Sequence, residues 1–201
     1  MTEQELVLAA RRGDDAAFEE LVRAYEKKVY HLSLRMCGDP DDALEIAQEA
    51  FLSAWRGLKF FRGDSSFSTW LYRLTSNAAI DYLRRKRRQG EGRVSLNDED
   101  AFVEPPDPGP SPQRRAENQE LREALSLGLR TLSAEHRQVL LLRELQGLSY
   151  EEIAGALELD LGTVKSRIAR ARDKLRKYLT QSGNFSDYLP SNVPEAAGRE
   201  G

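Results

Sequence analysis

A short stretch near the middle of the chain limits the fold more than any other feature. The run Glu104-Pro-Pro-Asp-Pro-Gly-Pro-Ser-Pro112 holds five prolines, and acidic residues and glycines extend a similar composition back to Gly90. A helix cannot continue through this run, because proline lacks the backbone donor and restricts the residue before it. The charge keeps such a segment extended and solvated. We predict a flexible, acidic, Pro-rich linker over residues 91–114, with a domain on each side.

Both flanking segments have the apolar spacing of amphipathic helices. Apolar residues recur at steps of three and four from Phe18 to Met36, and the same period returns after the linker. The predicted fold class is all-α, with two small helical domains over residues 1–90 and 115–180. Residues 181–201 are rich in Gly, Asn, Ser and Pro, which predicts a disordered tail.

Composition excludes several classes of protein. The net charge is −3, and the single cysteine, Cys37, cannot form an internal disulfide, which suits a reducing compartment. Its place at the end of an apolar helical pattern predicts a buried, unreactive thiol. With only two histidines we expect no metal site, and the sequence shows neither a phosphate-binding glycine loop nor a plausible catalytic triad. Since no signal peptide or membrane-spanning run is present, we expect a cytoplasmic protein that is not an enzyme and needs no cofactor.

A helix-turn-helix is predicted over residues 148–177. Ser149 and Glu152 form a capping box at the start of its first helix, and a turn falls at about residues 158–162. The second helix has a narrow apolar seam, and its residues 161–178 carry seven Lys or Arg against one Asp. The face opposite the seam combines cations with small residues such as Ser166 and Ala169, which favours insertion in a DNA major groove over a merely solvated basic helix.

A third pattern predicts a protein-binding surface. A helix from about Pro40 to Gly57 has one apolar face, and the opposite face carries Leu52 among charged and polar residues. These residues are Asp41, Asp42, Glu45, Gln48, Glu49 and Arg56. A solvated acidic face is the simpler interpretation. An outward leucine with a rim of carboxylates is nevertheless typical of a surface that binds a basic protein partner.

The segment that follows alternates aromatic residues with arginines. Phe67 and Trp70 share the apolar side of a fourth helix and are predicted to lie in the core, whereas Phe60, Phe61 and Arg62 fall in the loop before it. A stripe on the same helix combines Arg73, Asn77 and Arg84. Arginines for the backbone, aromatics for stacking and an amide for a base edge favour single-stranded DNA.

These motifs together resemble a bacterial RNA polymerase sigma factor of the extracytoplasmic-function (ECF) group, over about residues 5–178. The resemblance is carried by residues 42–52, by Phe61-Arg-Gly-Asp-Ser-Ser-Phe-Ser-Thr-Trp-Leu-Tyr-Arg73, and by residues 147–172 with the helix-turn-helix. It implies a transcription initiation factor whose partners are core RNA polymerase, through the β′ clamp coiled coil and the β flap, and promoter DNA. It also implies an anti-sigma factor and a cytoplasmic location, nucleoid-associated when the protein is bound to polymerase.

The resemblance implies a role for each surface. The polymerase would dock on Asp42, Glu45, Gln48, Glu49 and Leu52. The melted −10 element would be held by Phe61, Arg62, Gly63, Asp64, Ser65, Ser66, Arg73 and Asn77. The −35 duplex would be read by Lys165, Ser166, Arg167, Ala169 and Arg170. Two alternatives remain open at this point: a polymerase-independent helix-turn-helix regulator that binds duplex operators, and an adaptor whose first domain binds only protein.

Overall fold

A computed structural model describes residues 1–90 and 112–182, with side chains placed from residue 119 in the second range. Over these residues the chain forms eight α-helices and no strand, which confirms the all-α fold class. The helices are α1 Glu3–Arg11, α2 Asp15–Cys37, α3 Pro40–Leu58, α4 Phe67–Arg88, α5 Pro112–Arg130, α6 Ala134–Glu144, α7 Tyr150–Leu157 and α8 Leu161–Ser182. No helix in the described ranges is long and apolar enough to cross a membrane.

The first domain is built around α2, whose residues Leu21, Val29 and Leu32 are fully buried against α1, α3 and α4. The start of each long helix is fixed by a side chain that accepts a backbone hydrogen bond. Asp14 caps α2, Asp39 caps α3 and Ser66 caps α4. Each such cap stabilises its helix by about 1 kcal/mol. The cap at Ser66 therefore fixes where the preceding loop ends and α4 begins.

The second domain packs α5, α6 and α7 against α8. Val164, Ile168 and Ala171 of the predicted seam are buried. Gly128 lets α5 approach α8 closely, because a Cβ there would lie 2.5 Å from a methyl carbon of Leu175.

The linker prediction is wrong at its last three residues, since α5 begins at Pro112. Proline is tolerated in the first turn of a helix, where its missing N–H is not needed. The other predicted linker residues lie outside the described ranges. The predicted tail is helical at residues 181–182, and its remainder also lies outside them.

The two domains contact each other. Helix α6 lies against α2 and α4, α5 against α2, and α7 against α4. Nothing in the sequence pattern predicts this contact, because its hydrogen bonds join residues 51 to 101 positions apart.

Candidate nucleic-acid and protein interfaces

The helix-turn-helix is held by capping groups at both ends of its turn. The Ser149 amide donates to the Glu152 carboxylate at 2.7 Å, and the Glu152 amide donates to the Ser149 hydroxyl at 3.1 Å, as predicted. Donation to its carboxylate by the Ser149 backbone amide, followed by the Ser149 side chain, lowers the pKa of Glu152. Helix α7 ends at Leu157, Glu158 adopts a left-handed φ of 55°, and Asp160 accepts the Thr163 amide at 2.7 Å to start α8. The orientation of α8 is therefore set by local hydrogen bonds.

The predicted reading face of α8 is exposed. Lys165, Ser166, Ala169 and Arg170 face solvent, and Arg167 is partly buried at its edge. The Ser166 hydroxyl donates to the Thr163 carbonyl at 3.0 Å, which leaves its oxygen lone pairs for an incoming donor. This combination of two cations with small side chains can approach a duplex closely.

Counting charges in the sequence overstates the cations that α8 can offer to DNA. Arg172 is bound to Glu144, with its Nε 3.0 Å from the carboxylate, and Lys177 is 2.9 Å from Asp173. The Lys174 ammonium donates to the carbonyl of Thr131. Three of the seven cations are thus engaged within the second domain, and the exposed Lys165 and Arg170 are better placed to meet phosphate.

The acidic surface of α3 has a more apolar ridge than predicted. Leu52 is 42% exposed, as expected for an outward leucine. Leu44 is 60% exposed, although it was not predicted to lie on this surface. Leu44, Gln48 and Leu52 are four residues apart and share one helix face, with exposed Glu45 and Glu49 beside them. The spacing of Leu44 from Leu52 was the signal that could have found it. We call Leu44, Glu45, Gln48, Glu49 and Leu52 the α3 ridge.

Grooves flank the α3 ridge on both sides. The larger, of about 490 Å³, lies between α2 and α3 and is apolar. Its lining includes Phe18, Val22, Phe51, Leu52 and Trp55, with Asp15 and Glu19 among its polar members. A smaller one, of about 90 Å³, lies between α3 and α4 and includes Glu45, Glu49 and Arg85. The ridge can therefore enter a concave partner surface.

The prediction that Asp42 lies on the exposed acidic face is wrong. Asp42 is 9% exposed, and its carboxylate accepts hydrogen bonds from Tyr82 at 2.6 Å and from Lys86 at 2.7 Å. Accepting the first of these bonds is the largest cause of the raised pKa of Tyr82. Helical periodicity points Asp42 outward, but α4 crosses the start of α3 and supplies a counter-charge from 44 residues away. Its role in the structure is to join the two helices.

The loop between α3 and α4 is exposed except at Phe61, which is partly buried. Arg62, Gly63, Asp64, Ser65 and Ser66 all face solvent. Phe61 nevertheless packs on the apolar side of α4, because its ring centre lies 4.9 Å from that of Trp70 and 6.4 Å from that of Phe67. Phe60 is the freer aromatic at 73% exposure. The prediction that Phe67 and Trp70 lie in the core is confirmed.

The stripe Arg73, Asn77 and Arg84 faces the second domain. Asn77 is exposed, but its carbonyl oxygen accepts a 2.9 Å hydrogen bond from the Gln138 amide. Arg84 lies 3.4 Å from Glu135, and Arg73 lies 4.0 Å from Glu158. The structure therefore brings the three predicted residues onto one side of α4, each with a partner across the domain boundary.

Comparison with known proteins agrees with both domains. Residues 21–89 match the Sigma-70 region 2 family, and residues 122–175 match Sigma-70, region 4. The RNA polymerase sigma-H factor of Pseudomonas aeruginosa is 40% identical over 186 residues, covering 88% of this chain and 93% of that protein. The ECF RNA polymerase sigma-E factor of Escherichia coli K12 is 40% identical over 182 residues, which cover 87% of this chain and 93% of that protein. The chain belongs to the ECF group of RNA polymerase sigma factors.

This ECF sigma factor is therefore a transcription initiation factor that binds core RNA polymerase and directs it to specific promoters, and it is not an enzyme. Solved structures share its fold. CnrH, solved in complex with the cytosolic domain of CnrY, aligns with a TM-score of 0.63 and 25% identity over 90% of this chain and 99% of that one. The sigma factor RpoE of Bartonella quintana, solved with the anti-sigma factor NepR, aligns with a TM-score of 0.62 and 23% identity over 81% of this chain and 96% of that one. The polymerase-independent regulator is accordingly not favoured.

Proposed function

We propose that this sigma factor divides promoter recognition between its domains, with α8 reading the −35 duplex and α4 with its preceding loop holding the melted −10 strand. One observation carries the proposal. The residues predicted for DNA contact form two separate exposed surfaces, and each has the chemistry that its form of DNA requires. Neither surface is large or basic enough to suggest strong binding alone. Docking on polymerase makes the two contacts effectively intramolecular, so that weak contacts combine.

The −35 element meets Lys165, Ser166, Ala169 and Arg170, with Arg167 at the edge. The small residues allow α8 to approach the base edges, and the arginine can donate two hydrogen bonds to a guanine. A good bidentate contact of this kind discriminates against a wrong base by about 1–3 kcal/mol. The lysine contributes a phosphate contact, which fixes register without reading sequence.

The −10 strand meets two sites on the first domain. The exposed loop Arg62–Ser66, with Phe61 forming its floor, takes one unstacked base, and Asn77 bonds the edge of another. Ten residues of helix separate Phe67 from Asn77, which corresponds to about 15 Å along the axis. Since stacked nucleotides rise about 3.4 Å each, the two sites require a strand that is open over several bases. Holding an extruded base repays a few kcal/mol of unstacking.

Polymerase docks on the α3 ridge, whose leucines supply an apolar anchor and whose carboxylates orient a basic coiled coil such as the β′ clamp. Asp42 supports this surface from beneath, through Tyr82 and Lys86, instead of touching the partner. The second domain docks on the β flap. By analogy with CnrH and RpoE, which were solved with CnrY and NepR, this sigma factor is also held by an anti-sigma factor. It works in the cytoplasm and joins the nucleoid with polymerase.

Run-off transcription with reconstituted holoenzyme tests the division of labour. Asn77→Ala is expected to slow promoter opening at least tenfold while leaving polymerase affinity unchanged, because its amide is assigned to melted DNA and lies outside the α3 ridge that docks on polymerase. Gln119→Ala, an exposed amide on α5, is the matched control. Equal loss of opening and polymerase binding would refute the assignment of Asn77.

The docking surface is tested by the double variant Glu49→Lys, Leu52→Ala. We expect loss of co-elution with core polymerase and an unchanged helical circular dichroism spectrum. The control is Glu26→Lys with Leu8→Ala, which makes the same changes at exposed positions of α2 and α1. Normal transcription by the α3 variant would overturn the docking assignment.

A further inference from the structure

The contact between the two domains is built from buried polar side chains of α6. Arg137 is 7% exposed and Gln138 is 4% exposed. The Arg137 guanidinium donates to the Met36 carbonyl at the end of α2, and Arg130 donates to the Gly38 carbonyl at 3.1 Å. The C-terminus of a helix carries a partial negative charge, so two cations placed there dock the second domain on α2. This contact is specific enough to define one closed arrangement.

The closed arrangement engages the polar groups of α4 that are proposed to meet single-stranded DNA. Gln138 Nε2 lies 2.9 Å from both the Asn77 carbonyl oxygen and the Ser76 hydroxyl. Amide N–H donation to Asn77 has the same chemistry as donation by the exocyclic amine of an adenine. Glu135 and Glu158 lie beside Arg84 and Arg73, as phosphates would. The second domain thus offers α4 a substitute for each group that a DNA strand would present.

We propose that the second domain is an intramolecular latch: in the free chain, α6 and the helix-turn-helix turn occupy Asn77, Arg73 and Arg84, and core polymerase must separate the domains before α4 can hold the −10 strand. The proposal rests on the proposed −10 role of Asn77. It makes −10 recognition conditional on polymerase, because separating the domains is what frees the Asn77 side-chain oxygen from Gln138.

The latch closes only one of the two DNA surfaces. Lys165, Ser166 and Arg170 on α8 remain exposed in the closed arrangement, and no described residue of the first domain forms a hydrogen bond or ion pair with them. Binding of duplex −35 DNA is therefore expected to be the same in the closed and the open chain. This asymmetry separates the latch from a general occlusion of DNA binding.

The latch is also built to release. The buried Arg137 has carbonyl oxygens as partners and no carboxylate, and its Nε, like that of Arg130, lacks a hydrogen bond among the described residues. Burial, followed by the neighbouring Arg130 charge, lowers the pKa of Arg137 to about 10. The ion pairs at Glu135 and Glu158 have exposed carboxylates and long separations, so each contributes little. A partner that binds the open arrangement better can therefore shift the equilibrium.

Fluorescence anisotropy on the full-length chain without polymerase tests the latch. The probe is the single-stranded non-template −10 segment of a promoter that the holoenzyme transcribes. Gln138→Ala removes the bonds to Asn77 and Ser76. Glu135→Lys places a positive charge beside Arg84, at a side chain that is 42% exposed in the first turn of α6, at a small cost to that helix. If about one wild-type molecule in ten is open, each variant binds the probe up to about tenfold more tightly.

Matched controls separate opening from generic effects. Gln119→Ala removes an exposed amide on α5, and Glu144→Lys makes the same charge change as Glu135→Lys within the second domain. In each control variant, we expect the increase in log affinity for the probe to be at most about half of the increase in the corresponding latch variant. Adding Asn77→Ala to Gln138→Ala is expected to abolish the gain in affinity. Affinity for the −35 duplex is expected to change less than twofold in Gln138→Ala. Small-angle scattering should show a larger radius of gyration for the two latch variants than for the wild type.

The outcomes distinguish this inference from the proposed function. If the latch variants expand but bind the probe no more tightly, while Asn77→Ala holoenzyme is defective in promoter opening, the latch is refuted and the −10 assignment stands. A wild-type chain that is already as expanded as the variants also refutes the latch. If Asn77→Ala holoenzyme opens promoters normally, the −10 assignment fails, and a closed wild-type chain would then be a packing arrangement only.

Discussion

The buried pair Asp42–Lys86 allows a quantitative test of how the first domain is held together. Lys86→Met keeps the length of the side chain but removes the charge that lies 2.7 and 3.0 Å from the two Asp42 oxygens. Tyr82 still donates at 2.6 Å. The variant therefore leaves a largely buried carboxylate with one neutral partner in place of its counter-charge.

The exposure of the two side chains sets the magnitude. Breaking a fully buried ion pair costs about 3–5 kcal/mol, whereas exposed pairs contribute about 0.2–1 kcal/mol. The Lys86 side chain is 29% exposed and that of Asp42 is 12% exposed, which places the pair between these limits. With Tyr82 retained, we expect Lys86→Met to reduce the free energy of unfolding of the first domain by about 2 kcal/mol. For a domain of about 90 residues that corresponds to about 8–16 °C in Tm.

Tryptophan fluorescence during urea unfolding is the assay, because both tryptophans of the chain, Trp55 and Trp70, lie in the first domain. The control is Arg23→Met, which breaks an exposed pair with Glu19 at 2.6 Å, and we expect it to cost about 0.5 kcal/mol. If Lys86→Met costs no more than Arg23→Met, the reasoning is refuted. The assignment of Asp42 as structural fails if Asp42→Asn leaves stability unchanged but abolishes polymerase binding.

Three further predictions concern single side chains. Glu152→Gln should destabilise the second domain by about 0.5 kcal/mol at neutral pH, measured in denaturation curves by circular dichroism. Because the pKa of Glu152 is lowered in the folded state, this difference in stability should disappear as the pH falls from about 4.5 through that lowered value. Arg170→Ala should weaken −35 duplex binding by about 1–3 kcal/mol and relax the preference for guanine at one position, whereas Lys165→Ala should reduce the slope of log K against log salt by about 0.9, both measured by anisotropy from low to high salt. Burial raises the pKa of the Cys37 thiol to about 11, so iodoacetamide should modify it at pH 8 at least tenfold more slowly in the native chain than in urea.

Local signals predicted the helices and their caps well. Ser149 with Glu152 and the turn after Leu157 depend on residues a few positions apart, and the backbone follows such short-range chemistry. The burial of Val164 and Ile168 follows from helical period alone. The interpretation of residues 148–177 as a DNA-reading helix-turn-helix required only such short-range patterns.

Contacts between distant residues account for the errors. Periodicity pointed Asp42 outward, but the cation that draws it inward comes from the far end of another helix. The sequence places Phe61 in a loop and does not show that its ring packs on Trp70. The contact of Gln138 with Asn77 joins two domains, and no pattern within either domain requires it. Sequence reasoning therefore identified most of the exposed faces and missed the contacts that some of their residues make with other helices.

The corner between α7 and α8 carries an unusual choice of residue. Glu158 adopts a left-handed backbone, which glycine or asparagine would adopt with less strain, and it is the only non-glycine residue of the described ranges with a positive φ. Glycine there would relax the backbone by about 1 kcal/mol but would leave the corner without a carboxylate. The chain thus keeps a costlier turn and gains an acidic group that reaches toward Arg73. A variant stabilised by replacing Glu158 with glycine would resist heat better but would lose the ion pair with Arg73 that links the two domains.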